Sequence, residues 1–207
     1  MVQGRHPEHS REKILEKGLE LFIEQGYHAT GLTQILKVCQ VPKGSFYNFF
    51  GSKEQFAVEI IEHYHALEFD RWQTEFDKLE GSLFERIRLL LEREVLCFKE
   101  DRDHVGCLLA NFAGEVGNAS EPFRLAIYNA TQEVIKSIED DLIVCQQEGD
   151  VRTDLDALTL AKLFWDGWQG ALLRMKVERS TQPLTDIIEL YWNTILPPQY
   201  KETADAT

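Results

Sequence analysis

A chain of 207 residues with 43% hydrophobic content is long enough for one good core, or for a small module joined to a larger one. No apolar run approaches the ~18 residues that span a bilayer, and the opening M-V-Q-G-R-H-P-E-H-S-R-E lacks the apolar centre of a secretory signal, so a cytoplasmic protein without membrane contact is expected. The net charge of -13 argues against a nucleic-acid partner until its distribution is read: residues 1–55 hold seven Lys and Arg against six acids, a balance of +1, and the remainder carries -14. Only the amino-terminal part could lie against phosphates without strong repulsion.

The apolar pattern is helical nearly throughout, which predicts an all-α fold. Ser10 can cap a first helix whose apolar side holds Ile14, Leu15, Gly18, Leu19, Phe22 and Ile23, with Glu12, Glu16, Glu20 and Glu24 opposite and Gly26 closing it. Thr33 can cap a short second helix that buries Ile35, Leu36 and Cys39. Pro42 then opens a third, because its fixed φ suits a first turn where its missing N–H would have no partner anyway. Helix, short helix, tight turn and short helix within fifty residues is the layout of a helix-turn-helix. Gly44 and Ser45 let the first turn of the third helix approach a bulky anion, and helix-start N–H groups bind phosphate. Phe46, Phe49 and Phe50 fall along one flank at three- and four-residue spacing, with Tyr47 and Asn48 pointing elsewhere.

From a cap at Ser52 a long amphipathic segment runs to about Leu79, carrying Phe56, Ile60, Tyr64, Leu67, Arg71 and Trp72 roughly in line. It would join the two modules mechanically. A fifth helix covers 83–99. A short apolar sixth follows His104 and bears two polar residues, Asn111 and Glu115, that need partners if it is central. A seventh begins at Ser120 and Pro122 and stops near Gly149, an eighth starts at Asp154 or Asp156, and a ninth runs from Pro183 to the stop at Pro197-Pro198. Three segments result: a helix-turn-helix suited to DNA in 1–52, a larger helical region in 53–198, to which the resemblance described below gives ligand binding and dimerisation, and a disordered tail in 199–207.

Cys39, Cys97, Cys107 and Cys145 show no metal-ligand or CxxC spacing, so neither a disulfide scaffold nor a metal site is expected. Cys39, Cys97 and Cys145 read as small buried apolar residues. Trp165, Trp168, Tyr191 and Trp192 offer more rings than a small internal core needs. They therefore point to a four-helix bundle between two copies, helices eight and nine from each, with a thick internal core as the alternative.

Together these features resemble the TetR family of bacterial transcriptional repressors. The resemblance rests on L-F-I-E-Q-G-Y at the end of the first helix, on Thr30 and Leu32-Thr33, and on V-P-K-G-S-F-Y-N-F-F-G-S-K-E at 41–54. It implies a nine-helix fold, a three-helix reader followed by a larger helical ligand-binding and dimerisation module, with no cofactor and no enzymatic activity. It also implies phosphate contacts by Thr33, Tyr47 and Lys53, with Lys43, Gly44, Ser45, Asn48 and Phe49 at or near the groove and Phe46 and Phe50 in the core. The partners it implies are a pseudo-palindromic double-stranded DNA operator, a small-molecule effector and a second copy of the chain. Asn48 and Phe49 depart from the residues common in the family, so base preference is not legible.

The segments at 106–117 and 170–180 resemble those of electrophile-sensing members of the family, which implies a sensor cysteine at Cys107 and a nearby lysine at Lys176. His104, three residues before Cys107, would favour thiolate if the two share a helix face near its start. Trp72, Trp165 and Trp168 are candidates to line the effector site. The alternatives are a core cysteine with a repressor that takes an apolar ligand non-covalently, an enzyme using Cys107 and His104 as nucleophile and base, and a helical scaffold. The enzyme reading lacks an acidic orienter or a Gly-rich nucleophile turn, and the scaffold leaves 42–53 unexplained.

Overall fold

The computed structural model of the protein describes residues 11–100 and 107–199. Among the described residues all regular structure is helical, as the periodicity predicts. The elements are α1 (Arg11–Ala29), α2 (Leu32–Val38), α3 (Lys43–Phe50), α4 (Lys53–Phe76), α5 (Leu83–Glu100), α6 (Leu108–Val116), α7 (Glu121–Glu148), α8 (Ala157–Glu178) and α9 (Gln182–Leu190), the last continuing as a π-helical turn, Tyr191–Ile195. No helix among the described residues is long and apolar enough to cross a membrane. Ser10, His104 and the end of the tail lie outside the described residues.

Several local signals act as their chemistry requires. Ser52 caps α4, its Oγ accepting from Gln55 N at 2.9 Å, and Asp156 caps α8, accepting from Thr159 N at 2.9 Å. Pro42 is the residue before α3, with φ -61 and ψ 143. Thr33 is not a cap. It sits inside α2 behind Gly31, and the hydroxyl that matters at this joint belongs to buried Thr30, which donates to Gly26 O at 2.6 Å. Gly26 interrupts α1 rather than closing it: with φ 76 and ψ 175 it breaks the helix, and residues 27–29 form a further turn beyond it.

Packing divides the chain into two compact units, Met1–Arg71 with Gly106–Thr131, and Trp72–Val105 with Gln132–Thr207. The amino-terminal unit therefore includes most of α4, α6 and the start of α7, all of which the sequence boundaries place in the larger module. The reason is apolar: Phe112 of α6 meets Phe22 of α1 at 5.5 Å, and Phe123 of α7 meets Tyr27 at 5.0 Å. Gly18 lets α4 close onto α1, since a Cβ there would stand 2.3 Å from Phe56 Cζ.

In the second unit Phe164 stacks with Trp168 and stands edge-on to Tyr191 and Trp192, while Trp192 stacks on Phe84 and donates its indole N–H to Phe84 O at 3.2 Å. Trp168, Tyr191 and Trp192 are all buried within one chain. Three of the four rings read as a surplus thus fill an internal core, while Trp165 is half-buried, and Leu163, Leu173, Val177 and Leu190 leave aliphatic surface exposed on α8 and α9. Cys97 also departs from expectation. It is exposed on α5, whereas Cys39 and Cys145 are buried.

Candidate nucleic-acid interface and sensor site

The two faces of α3 differ in kind. Phe46 and Phe50 are buried, with ring centroids 5.2 Å apart and 5.1 and 4.7 Å from Phe56 of α4. Lys43, Gly44, Tyr47, Asn48 and Phe49 are exposed and Ser45 is partly so. Phe49 leaves the flank that its spacing suggested, because the Phe46–Phe50 line already fills the core on an eight-residue helix; 39% of it faces solvent. A Cβ on Gly44 would meet nothing within 4 Å, so a phosphate can approach the backbone of that first turn. The Lys43 ammonium lies 6.0 Å over the Tyr47 ring, which keeps cation and phenol on one exposed strip. Thr33 is exposed in the first turn of α2.

Lys53 is placed differently. At the first residue of α4, half-buried, it donates from Nζ to Tyr27 O at 2.6 Å and stands 3.9 Å over the Tyr27 ring. Burial lowers the pKa of this ammonium and the charge of Glu115 partly restores it. Glu115, one of the two polar residues of α6, has found its partners: its carboxylate accepts from Tyr27 N at 2.9 Å and His28 N at 2.7 Å. The His28 ring bonds the Glu115 carbonyl at 3.2 Å. Gly26 is required here, since a Cβ would stand 2.7 Å from Glu115 Oε2.

Cys107 is half-buried and precedes α6 as its N-cap, with extended φ -83 and ψ 125. His104, expected to share a helix face with it, lies outside the described residues. The neighbour of Cys107 is Tyr64 of α4, whose phenol accepts from the Leu108 N–H and is hydrogen-bonded to the Cys107 thiol. Burial, then the charges of Cys107 and Glu68, raise the Tyr64 pKa well above the ordinary phenol value. Tyr64 carried no sequence signal beyond its place on an apolar stripe. Burial pushes the Cys39 thiol up to about 11 and that of Cys145 up to about 12, so neither is a ready nucleophile. Lys176 and Trp165 are half-buried and Trp168 is packed in the aromatic core; with half-buried Trp72 they belong to the second unit, and Cys107 to the first.

Residues 14–60 match the family described as bacterial regulatory proteins, tetR family, and residues 83–191 match the tetracyclin repressor-like C-terminal domain, so family signatures cover both the reader and most of the body. The chain belongs to the TetR family. Among its curated relatives, the transcriptional repressor DhaR of a Mycobacterium species is 33% identical over 90% of this chain and 92% of its own. The repressor NemR of Escherichia coli is 31% identical over 94% of this chain and 98% of its own. The crystal structure of Escherichia coli NemR in its reduced form superposes with a TM-score of 0.83 at 29% identity, covering 92% of this chain and 98% of that one. TetR-family repressors bind DNA operators and small-molecule effectors and dimerise, in agreement with the exposed face of α3.

Proposed function

We propose that this protein is a cytoplasmic, dimeric repressor that binds a pseudo-palindromic operator and leaves it when an electrophile modifies Cys107. The observation that carries the DNA reading is the division of α3 into a buried Phe46–Phe50 line and an exposed strip of Lys43, Gly44, Tyr47, Asn48 and Phe49. Thr33, Ser45 and Tyr47 supply hydroxyls for phosphate oxygens and Lys43 supplies charge, while Asn48 suits adenine and Phe49 a thymine methyl. Two readers ~34 Å apart enter successive major grooves. A phosphate contact by Lys53 requires its ammonium to turn away from the Tyr27 carbonyl. Repression is supported by the relatives DhaR and NemR, both transcriptional repressors.

The sensor reading is supported by exclusion among thiols: Cys39 and Cys145 are buried with raised pKa values, which leaves Cys97 and Cys107 accessible. Cys107 has a polar neighbour in Tyr64. In a Michael addition the Cys107 sulfur forms a bond to the β-carbon of the acceptor. The π pair moves to the α-carbon and carbonyl, and the α-carbon takes up a proton equivalent to the one the thiol gave up. The family resemblance assigns Lys176, Trp72, Trp165 and Trp168 to the effector region, and all four belong to the second unit. The same exposed aliphatic residues of α8 and α9 support a two-fold interface through those helices.

The test is a gel-shift titration on the protein's own upstream DNA, with and without N-ethylmaleimide, for wild type, Cys107→Ser and Cys97→Ser. Binding by all three, with release lost only in Cys107→Ser, is the expected result. Failure to bind any upstream fragment at low salt overturns the repressor reading. Release that survives in Cys107→Ser but is lost in Cys97→Ser moves the sensor to α5.

A further inference from the structure

Glu115 and Lys53 are held to the same short stretch of α1 from opposite directions. The Glu115 carboxylate takes the N–H groups of Tyr27 and His28, a bond that spans 88 residues in the first case, and the Lys53 ammonium takes the Tyr27 carbonyl and sits on its ring. Tyr27 is itself wedged edge-on against Phe112 of α6 and Phe123 of α7. Because Gly26 breaks α1 just before it, the 27–29 turn has no continuous helical ladder behind it, and its N–H groups depend on an outside acceptor. A carboxylate on two successive N–H groups is a charge-assisted grip with fixed geometry. The Lys53 end of this chain of contacts lies two residues after Gly51, where α3 ends.

We propose that Glu115, Tyr27 and Lys53 form a positioning relay: the Glu115 carboxylate fixes the Tyr27 turn, and that turn holds the first residue of α4 through Lys53, thereby setting the pose of α3. In this role Lys53 acts inward on the reader, and its charge contributes to operator binding through orientation rather than through a phosphate. The proposal rests on reading α3 as the DNA-contacting helix.

The test combines two readouts on the full-length protein. In the first, amide hydrogen exchange is compared among wild type, Glu115→Gln, Lys53→Met and, as a control on an exposed local pair, Glu121→Gln. Glu115→Gln keeps the volume but presents an NH2 to a donor. Faster exchange is expected at Tyr27 and His28 and along α3 in Glu115→Gln, and along α3 in Lys53→Met, with no change in the control. Exchange that rises only at 27–28 reduces Glu115 to a local cap and overturns the relay.

In the second readout, operator affinity is measured against salt for the two single variants and the double. Each single loses ~10-fold, about the worth of one charge-assisted hydrogen bond, the log–log salt slope stays that of wild type, and the double is no weaker than either single. A slope that falls by ~1 in Lys53→Met with additive losses makes Lys53 a direct phosphate ligand and overturns the proposal. Wild-type protein that binds no upstream DNA ends the repressor reading, and the exchange arm still decides the relay. If Glu115→Gln fails to fold by circular dichroism, Lys53→Met tests the same relay from its other end.

Discussion

The ring of Phe46 in α3 stands edge-on to that of Phe56 in α4, with centroids 5.1 Å apart and both side chains fully buried. This pair ties α3 to the element that follows it. Phe56 also contacts Phe22 of α1 and the site of Gly18, so one ring serves three helices. Phe56→Ala is expected to cost about 3–5 kcal/mol in urea unfolding and to abolish operator binding. Phe49→Ala, at a half-exposed site, changes stability by less than about 0.5 kcal/mol. Equal losses in the two would mean that Phe49 belongs to the core.

The exposed strip of α3 predicts two kinds of variant. Lys43→Ala should weaken every operator alike and lower the salt slope by ~1, as loss of one phosphate contact does. Asn48→Ala should instead relax preference at one base position by about 1–3 kcal/mol with the slope unchanged. Competition binding across a set of single-base operator variants separates them. A uniform effect of Asn48→Ala would place that residue on the backbone of the DNA.

Alkaline stability follows from the buried acids. The folded pKa values of Cys39 and Cys145, about 11 and 12, lie above the unfolded value of 9.0, and those of Tyr64, Tyr27 and Tyr191 are raised above 10.0. The unfolded chain then gives up protons that the folded chain keeps, so stability is intact below pH 9 and declines from there toward pH 12. Urea midpoints across pH 8–11 should fall, and Cys39→Ala with Cys145→Ala should flatten the decline. The same burial predicts that N-ethylmaleimide labels Cys97 and Cys107 in the native state and spares Cys39 and Cys145, as read by peptide mass mapping. A midpoint that rises across this range would contradict the assigned burial.

Val177 is 86% exposed and Leu173 50% exposed on α8, although both are apolar. If these residues meet a second copy, Val177→Glu or Leu173→Glu puts two carboxylates at a two-fold interface, and dimer affinity falls by ~100-fold or more with the monomer's helicity unchanged. Sedimentation equilibrium measures this directly. A variant that stays dimeric at micromolar concentration moves the interface to another face.

Much of the secondary structure was legible because its signals are local. Pro42, Ser52, Asp156 and Gly149 act on backbone groups within four residues, so the composition around each already fixes where a helix starts or stops. The split of α3 into a core face and an outer face follows from the spacing of Phe46 and Phe50. The same spacing misled at Phe49, because period alone cannot tell how many of three adjacent rings a small core accepts. A hydroxyl such as that of Thr33 favours a cap position, yet α2 starts behind Gly31, and the buried hydroxyl at this joint is that of Thr30, which donates to Gly26 O.

The sequence by itself determined an all-helical chain, a near-neutral amino-terminal part ahead of an acidic body, and the buried Phe46–Phe50 line of α3. Periodicity and capping are properties of neighbours along the chain, and charge is a sum. Only the tertiary structure decided whether the rings of α8 and α9 fill this chain's core or a partner's, because an apolar face reports that it is covered and not by what. It also decided that Glu115 grips the turn of Tyr27 and that Lys53 points inward to the same turn. Those contacts join residues 88 and 26 positions apart, and such partners exist only after the packing of Phe112, Phe123 and Tyr27 has brought the helices together.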